Sequence, residues 1–345
     1  MNITNTQYFL LFLSAYAVVG FLTPLIRRFA ISREILDLPN STHKSHSKPI
    51  PYLGGVAIIL GVVAVTYVSL VFSNTSKSNF WLATSIIAPA TVMGIIGLWD
   101  DIRSLHPFPR FIAQTISGTG VALVLILTNN FGTPTGSILF DVFITVLWIV
   151  GICNSINFFD NIDGGAAGTI AISALALTYI AISNGQALIG ALSIVVAGAS
   201  LGFLIWNRTP ARIYMGDAGA LFLGVLIATL TIRLRPNTDS IITSFAIPIF
   251  LLGAPILDTS VAVISRLRRK ISPFKGGQDH LSHRLIRSGI SRKNSVIFLW
   301  LISAAFCSLA ILAANLNLGL ERFVVVLGSL LWIGLFFGFF KKFDS

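Results

Sequence analysis

Hydrophobic residues in this chain fall in long uninterrupted runs, not at spacings of 2 or 3.6 residues. The runs are Tyr8–Ile26, Tyr52–Phe72, Phe80–Trp99, Pro109–Thr128, Ile138–Cys153, Gly165–Ser183, Ala187–Trp206, Ala218–Ile232, Ile241–Ile264, Ser295–Ala314 and Phe323–Phe340. About 17–25 apolar residues cross a bilayer core as a helix, and only Ile138–Cys153 and Ala218–Ile232 fall short of that. The pattern predicts an all-α polytopic integral membrane protein of about eleven transmembrane helices. A soluble core could not hide that many apolar runs in a chain of 345 residues. No internal repeat or soluble domain interrupts the pattern. Residues 1–345 therefore read as a single transmembrane domain with one long polar loop at 266–294.

Charge sets the orientation. The net charge of +11 would suggest nucleic acid in a soluble protein. With the N-terminus outside and the sides alternating, however, 20 of the 24 Lys and Arg fall in the segments on one side. Only Lys77, Arg233, Arg235 and Arg322 fall on the other. Positive residues stay cytoplasmic during insertion, so the basic excess predicts an outside N-terminus and a cytoplasmic C-terminus, with the lipid bilayer and not nucleic acid as the partner. The first run has no basic residue before it and Arg27-Arg28 after it, and reads as an uncleaved helix. Cys153 and Cys307 are isolated and give neither a disulfide nor a zinc spacing.

The chemistry-bearing residues gather in the cytoplasmic connections. All five histidines lie there, as do nine of the thirteen acids. Asp258 lies inside the ninth run, where a charge costs very roughly 2.5–3.5 kcal/mol and usually marks function. Asp100 and Asp101 end the third run. Adjacent helical residues point about 100° apart, so the two acids should have separate roles. Asn154, Asn157, Asp160 and Asp163 end the fifth run at spacings of three. They can converge only if the helix stops near Asp160 and the chain turns back at Gly164-Gly165. Carboxylate and amide oxygens are the hard ligands that Mg²⁺ prefers. Asp163 and Asp217 could each instead be a helix N-cap. A carboxylate holding Mg²⁺ at a helix N-terminus would attract a phosphate that the carboxylate alone repels. In the 266–294 loop, Asp279-His280-Leu281-Ser282-His283-Arg284 lacks the further ligands of a zinc site and suits hydrogen bonding to phosphates. Lys44 and His46, in the first inner loop, could also contact phosphate.

Five segments, DLPN…HKSH…PIPYLGG, DDIRSL, NFFDNIDGGAAG, IYMGDAG and SPF…DHLSHRL, run in order from Asp37 to Arg284. Together they resemble the polyprenyl-phosphate N-acetylhexosamine-1-phosphate transferase family, the initiating enzymes of bacterial polysaccharide synthesis. The resemblance implies Mg²⁺-dependent attack (Mn²⁺ would also serve) of a polyprenyl phosphate such as undecaprenyl phosphate on a UDP-amino sugar. UDP-N-acetylglucosamine is the first expectation, with UMP released, at the cytoplasmic face of the inner membrane. It puts Asn157 and Asp217 at metal-binding positions, Asp160 and Asp163 near the nucleotide, and Asp100 with its neighbour Asp101 at the catalytic acid. Lys44, His46, His280, His283 and Arg284 become substrate contacts. A homodimer is a further expectation. The chain departs from the family pattern at Ser282, Asn161, Gly165, Arg110 and Thr42. The alternatives are a muramoyl-pentapeptide phosphotransferase and a cation-coupled transporter. The transporter should show ionisable groups or broken helices near the membrane midplane.

Overall fold

In a computed structural model of the protein, the described residues are 3–37, 49–73, 75–103, 105–238, 240–273 and 277–342, without the side chains of 318 and 342. Lys44 and His46 lie outside them. Thirteen helices make up nearly all of the described fold: α1 (Asn5–Ser32), α2 (Gly54–Phe72), α3 (Lys77–Arg103), α4 (Pro107–Leu127), α5 (Ile138–Phe159), α6 (Gly165–Ser183), α7 (Ala187–Asn207), α8 (Gly216–Ile232), α9 (Ile241–Leu251), α10 (Gly253–Arg268), α11 (Leu281–Arg287), α12 (Arg292–Asn315) and α13 (Leu318–Lys342). One two-residue antiparallel ladder pairs β1 (Leu36–Asp37) with β2 (Ile50–Pro51).

The protein is a multi-pass membrane protein, as the apolar runs predict. Among the described residues nine helices are long and apolar enough to cross a bilayer. The ninth run corrects the expectation of one straight span from Ile241 to Ile264. It is broken into α9 and α10, bent by 78° at Leu252. Pro255 explains why one helix cannot continue through this point. It has no N–H to donate and sits in the first turn of α10, where none is needed. With the bent pair counted as one span the total is ten, and α8 is a further apolar helix of 17 residues.

α8 occupies the centre. Every residue from Ala218 to Ile232 is buried, as expected for a helix that is apolar all round. It packs on α3 and α5, while α7 is sandwiched between α1 and α6. Large exposed apolar side chains such as Phe21, Trp81, Leu139 and Leu330 cover the periphery, a surface suited to lipid. Gly97 sets the approach of α3 to α8, because a Cβ there would lie 2.4 Å from the carbonyl oxygen of Asp217. That contact lets the last turn of α3, with its two aspartates, lie against the first turn of α8.

Candidate active site

The polar ends of α3, α4, α5 and α8 meet at one end of the bundle. Asp100 is 7% exposed and caps the chain beyond α3, accepting from Leu105 N at 2.5 Å. Its other oxygen takes Nη1 of Arg110, which also donates to Asp217 Oδ2 at 2.6 Å. Asn157, in the last turn of α5, donates to Asp217 Oδ1 at 2.6 Å. Two predicted residues, Asn157 directly and Asp100 through Arg110, thus converge on Asp217, and a guanidinium bridges two carboxylates there.

Asp100 and Asp101 are inequivalent, as their angular separation requires. Asp101 Oδ1 accepts from Asp217 N at 2.8 Å, and Oδ2 accepts from Ala218 N at 3.1 Å. It therefore caps α8 from a different helix. The residue in the cap position itself, Met215, gives no side-chain bond. Asp217 is accordingly not the N-cap of α8, and its carboxylate is free to face Arg110 and Asn157. Gly216 makes the geometry accessible. It sits at φ +70°, and a Cβ there would be 2.5 Å from Asp101 Oδ2.

The end of α5 turns as its spacing requires. The helix stops at Phe159, and Gly164, at φ +76°, leads into α6. Asp160 lies in this turn, where burial and the charges of Asp217, Asp101 and Asp163 push its carboxyl well above the usual carboxylate range. Asp163 does not cap α6, whose cap position is Gly164. Its Oδ2 accepts from Ala211 N at 2.9 Å and so ties this turn to the connection between α7 and α8. Asn154 is turned away from the cluster and donates to Gln114 of α4 at 2.7 Å.

The basic loop packs over the same end. Asp258 holds its base: Oδ2 lies 2.7 Å from Nδ1 of His280, and Oδ1 accepts from Leu281 N at 2.6 Å. Arg266 lies over the ring of Phe158, 5.5 Å from its centroid, and donates to Asp279 Oδ2 at 3.0 Å. Two departures from the family pattern compensate each other, since Ser282 donates its hydroxyl to Asn161 Oδ1. His283 lies beside His280, with ring centroids 5.9 Å apart, and its Nδ1 has no partner among the described residues. Burial and the neighbouring His280 push the His283 imidazole down to about 4. Arg284 points elsewhere than at the cluster. It is 1% exposed and donates to Asp279 O at 2.8 Å, to Phe339 O at 2.9 Å and to Ser265 Oγ, which makes it an anchor of the loop onto α10 and α13.

Arg110 was not among the expected site residues. A signal for it existed: a cation in the first turn of a helix opposes the helix dipole and needs an anionic partner. Arg110 stands in the first turn of α4 and finds two.

This geometry can be set beside known proteins. Residues 83–235 match Glycosyl transferase family 4. A probable undecaprenyl-phosphate N-acetylglucosaminyl 1-phosphate transferase of Bacillus subtilis (strain 168) is 36% identical over 323 residues, covering 91% of this chain and 87% of that one. The chain belongs to glycosyl transferase family 4. A decaprenyl-phosphate N-acetylglucosaminephosphotransferase of Mycobacterium leprae (strain TN) is 28% identical over 324 residues, covering 85% of this chain and 81% of its own. A phospho-N-acetylmuramoyl-pentapeptide-transferase of Streptococcus uberis (strain ATCC BAA-854 / 0140J) is 31% identical over 199 residues, 54% of this chain and 59% of that one. The resemblance drawn from the five segments is thereby borne out. The family 4 match contains the whole Asp100–Arg110–Asn157–Asp217 cluster and stops short of the histidine loop.

Proposed function

We propose that this family 4 protein transfers N-acetylglucosamine 1-phosphate from UDP-N-acetylglucosamine to a polyprenyl phosphate, releasing UMP. An oxygen of the acceptor phosphate forms a bond to the sugar-bearing phosphorus. The bond from that phosphorus to the bridging oxygen breaks, and its electron pair leaves with UMP. The observation that carries the reading is the Bacillus subtilis relative, aligned over 91% of this chain. The muramoyl-pentapeptide relative is matched over only 54%.

A divalent cation suits the cluster. Mg²⁺ is typically held by one or two carboxylates, with water and substrate phosphates filling its other positions. Asp217 offers that carboxylate, and the amide of Asn157 offers an oxygen once its two ends are exchanged. Bound there, Mg²⁺ or Mn²⁺ would neutralise charge on the diphosphate. Arg110 already bridges Asp100 and Asp217, a point where two carboxylates favour a cation. Asp100 orients the acceptor phosphate. That group is mostly ionised near neutral pH, phosphate second pKa values being about 6, so positioning matters more than deprotonation. Asp160 and Asp163 lie at the nucleotide side. His283, neutral and with Nδ1 unpartnered, is the loop's contact to the donor. The cluster faces the cytoplasm, where nucleotide sugars are found, across the plasma membrane from the N-terminus.

One observation favours the transporter reading, the break between α9 and α10. The charged group beside it is already committed, because both oxygens of Asp258 are engaged by His280 and Leu281 N. The test is incubation of purified protein with polyprenyl phosphate and a panel of UDP-sugars. The expected result is a polyprenyl diphosphate N-acetylglucosamine and UMP in equal amounts. Uptake into proteoliposomes with no lipid product would overturn the proposal.

A further inference from the structure

α8 is 17 residues long, so its two ends lie about 25 Å apart. One end carries Asp217. The other ends in Arg233, one of the four basic residues that the charge pattern leaves on the opposite face. Arg233 is 7% exposed, and its Nη1 is buried without a partner among the described residues. Among the described residues its side-chain bond goes from Nη2 to Asn130 Oδ1 at 3.0 Å. Arg233 and Arg235 line a pocket of about 220 Å³ together with Asn79, Asn130 and the first turn of α7. No carboxylate lines it among the described residues.

Three features of this pocket point to an anion. A buried guanidinium without a counter-charge is unfavourable. Burial and the charge of Arg235 push Arg233 down to about 10. The second cation is held in place by the surrounding chain: Arg235 Nε donates to Phe131 O at 3.1 Å, and Nη2 donates to Asn129 O. Its backbone is clamped by the side chain of Gln186, which accepts from Arg235 N at 3.0 Å and donates to Arg235 O at 2.7 Å. Gln186 is also the cap residue of α7, and with its amide engaged it gives that helix no side-chain cap. The first turn of α7 therefore brings its uncapped N–H groups and the positive end of its dipole to the same pocket as the two arginines.

We propose that this pocket is an anion site for a phosphate group, at the membrane face opposite the aspartate cluster. Its volume lies below the roughly 300–1,000 Å³ of ordinary small-molecule pockets, so it suits a headgroup and not a nucleotide sugar. The phosphate can belong to a lipid or be free in solution, and the two share the recognition chemistry of Arg233, Arg235 and the α7 N-terminus.

Thermal unfolding of the full chain in a neutral maltoside detergent tests this, at constant ionic strength, with three probes: inorganic phosphate, dihexanoyl-phosphatidylglycerol and phosphate-free dihexanoylglycerol. The wild type should be stabilised saturably by at least one phosphate-bearing probe and not by dihexanoylglycerol. Arg233→Gln and Arg235→Gln should each raise the half-saturating concentration about tenfold, the loss of one charge-assisted hydrogen bond. Stabilisation by phosphatidylglycerol alone identifies a lipid headgroup, and stabilisation by both phosphate probes identifies the phosphate group itself as sufficient. Arg235 is exposed, so its variant remains decisive should Arg233→Gln fail to fold. No stabilisation by either phosphate probe, or the same half-saturation in Arg235→Gln as in the wild type, overturns the proposal.

Discussion

Asp101 and Asp100 are neighbours in sequence, and substituting Asp101 separates a positioning acid from the acid proposed to meet substrate. In Asp101→Asn a single carbonyl oxygen replaces two carboxylate oxygens that accept at 2.8 and 3.1 Å from Asp217 N and Ala218 N. One of the two bonds is lost, and the new amide NH₂ faces an N–H donor. A side-chain cap is worth about 0.5–2 kcal/mol. The expected loss is therefore within about 2 kcal/mol, localised at the first turn of α8. Asp217 sits in that turn, so its placement suffers with the cap. Thermal unfolding in detergent should fall by a few degrees. The Mg²⁺ concentration for half-maximal turnover should rise about tenfold, and kcat at saturating metal should fall less. Asp101→Ala should be worse in both respects. The measurement is turnover against Mg²⁺ beside the unfolding midpoint for each variant. If Asp101→Asn unfolds with the wild type and loses turnover by about a thousandfold at saturating metal, Asp101 takes part in the chemistry and the capping argument fails.

Asp217→Asn should abolish turnover in a protein that still folds, and chelation should silence the wild type until Mg²⁺ or Mn²⁺ is restored; indifference to chelator refutes the metal assignment. Arg284→Ala should lower the unfolding midpoint, because it deletes a buried anchor, and leave the KM for UDP-sugar of the folded fraction nearly unchanged; a raised KM with unchanged stability would return Arg284 to the substrate. His283 is held near 4 in the folded chain, so only the unfolded chain gains its proton as pH falls below about 6.5. Its contribution to stability is complete above pH 6.5 and drains away toward pH 4, a slope that should flatten in His283→Gln when unfolding is followed against pH. For orientation, an impermeant thiol reagent applied from outside should label Ser76→Cys and not Ser288→Cys, over a low background because both native cysteines are buried; the reverse pattern inverts the topology.

The apolar runs made the membrane helices readable because a span is defined by length and composition, both written in one stretch of chain. The break at Leu252 was hidden for the same reason. Pro248, Gly253 and Pro255 lie inside an apolar run, and hydropathy carries no information on direction. The stop at Phe159 and the turn at Gly164 were readable from the paired glycines after Asp163, whereas the convergence of all four polar residues was not: Asn157 reaches Asp217, but Asn154 turns to Gln114 and Asp163 to Ala211. The division of labour between Asp100 and Asp101 was readable only in part. Helical geometry separates them, but which one caps α8 depends on how α3 docks, a fact about two distant segments. Arg284 shows the opposite limit. An arginine in a basic, histidine-bearing loop suggests phosphate, whereas its partners Ser265 and Phe339 lie on other helices.

The cap that Asp101 provides to α8 has a consequence for the timing of synthesis. The chain emerges from its N-terminus, so Asp100, Arg110 and Asn157 are all in place before Gly216 is made. A chain halted at that point holds most of the polar cluster yet lacks the carboxylate that joins it. About two thirds of the protein must be synthesised before Asp217 appears, and its helix then begins at a cap already waiting on α3. A chain that stops short of Asp217 therefore cannot assemble the cluster. Completion of the site reports that the early and late halves of the chain have found each other in the membrane.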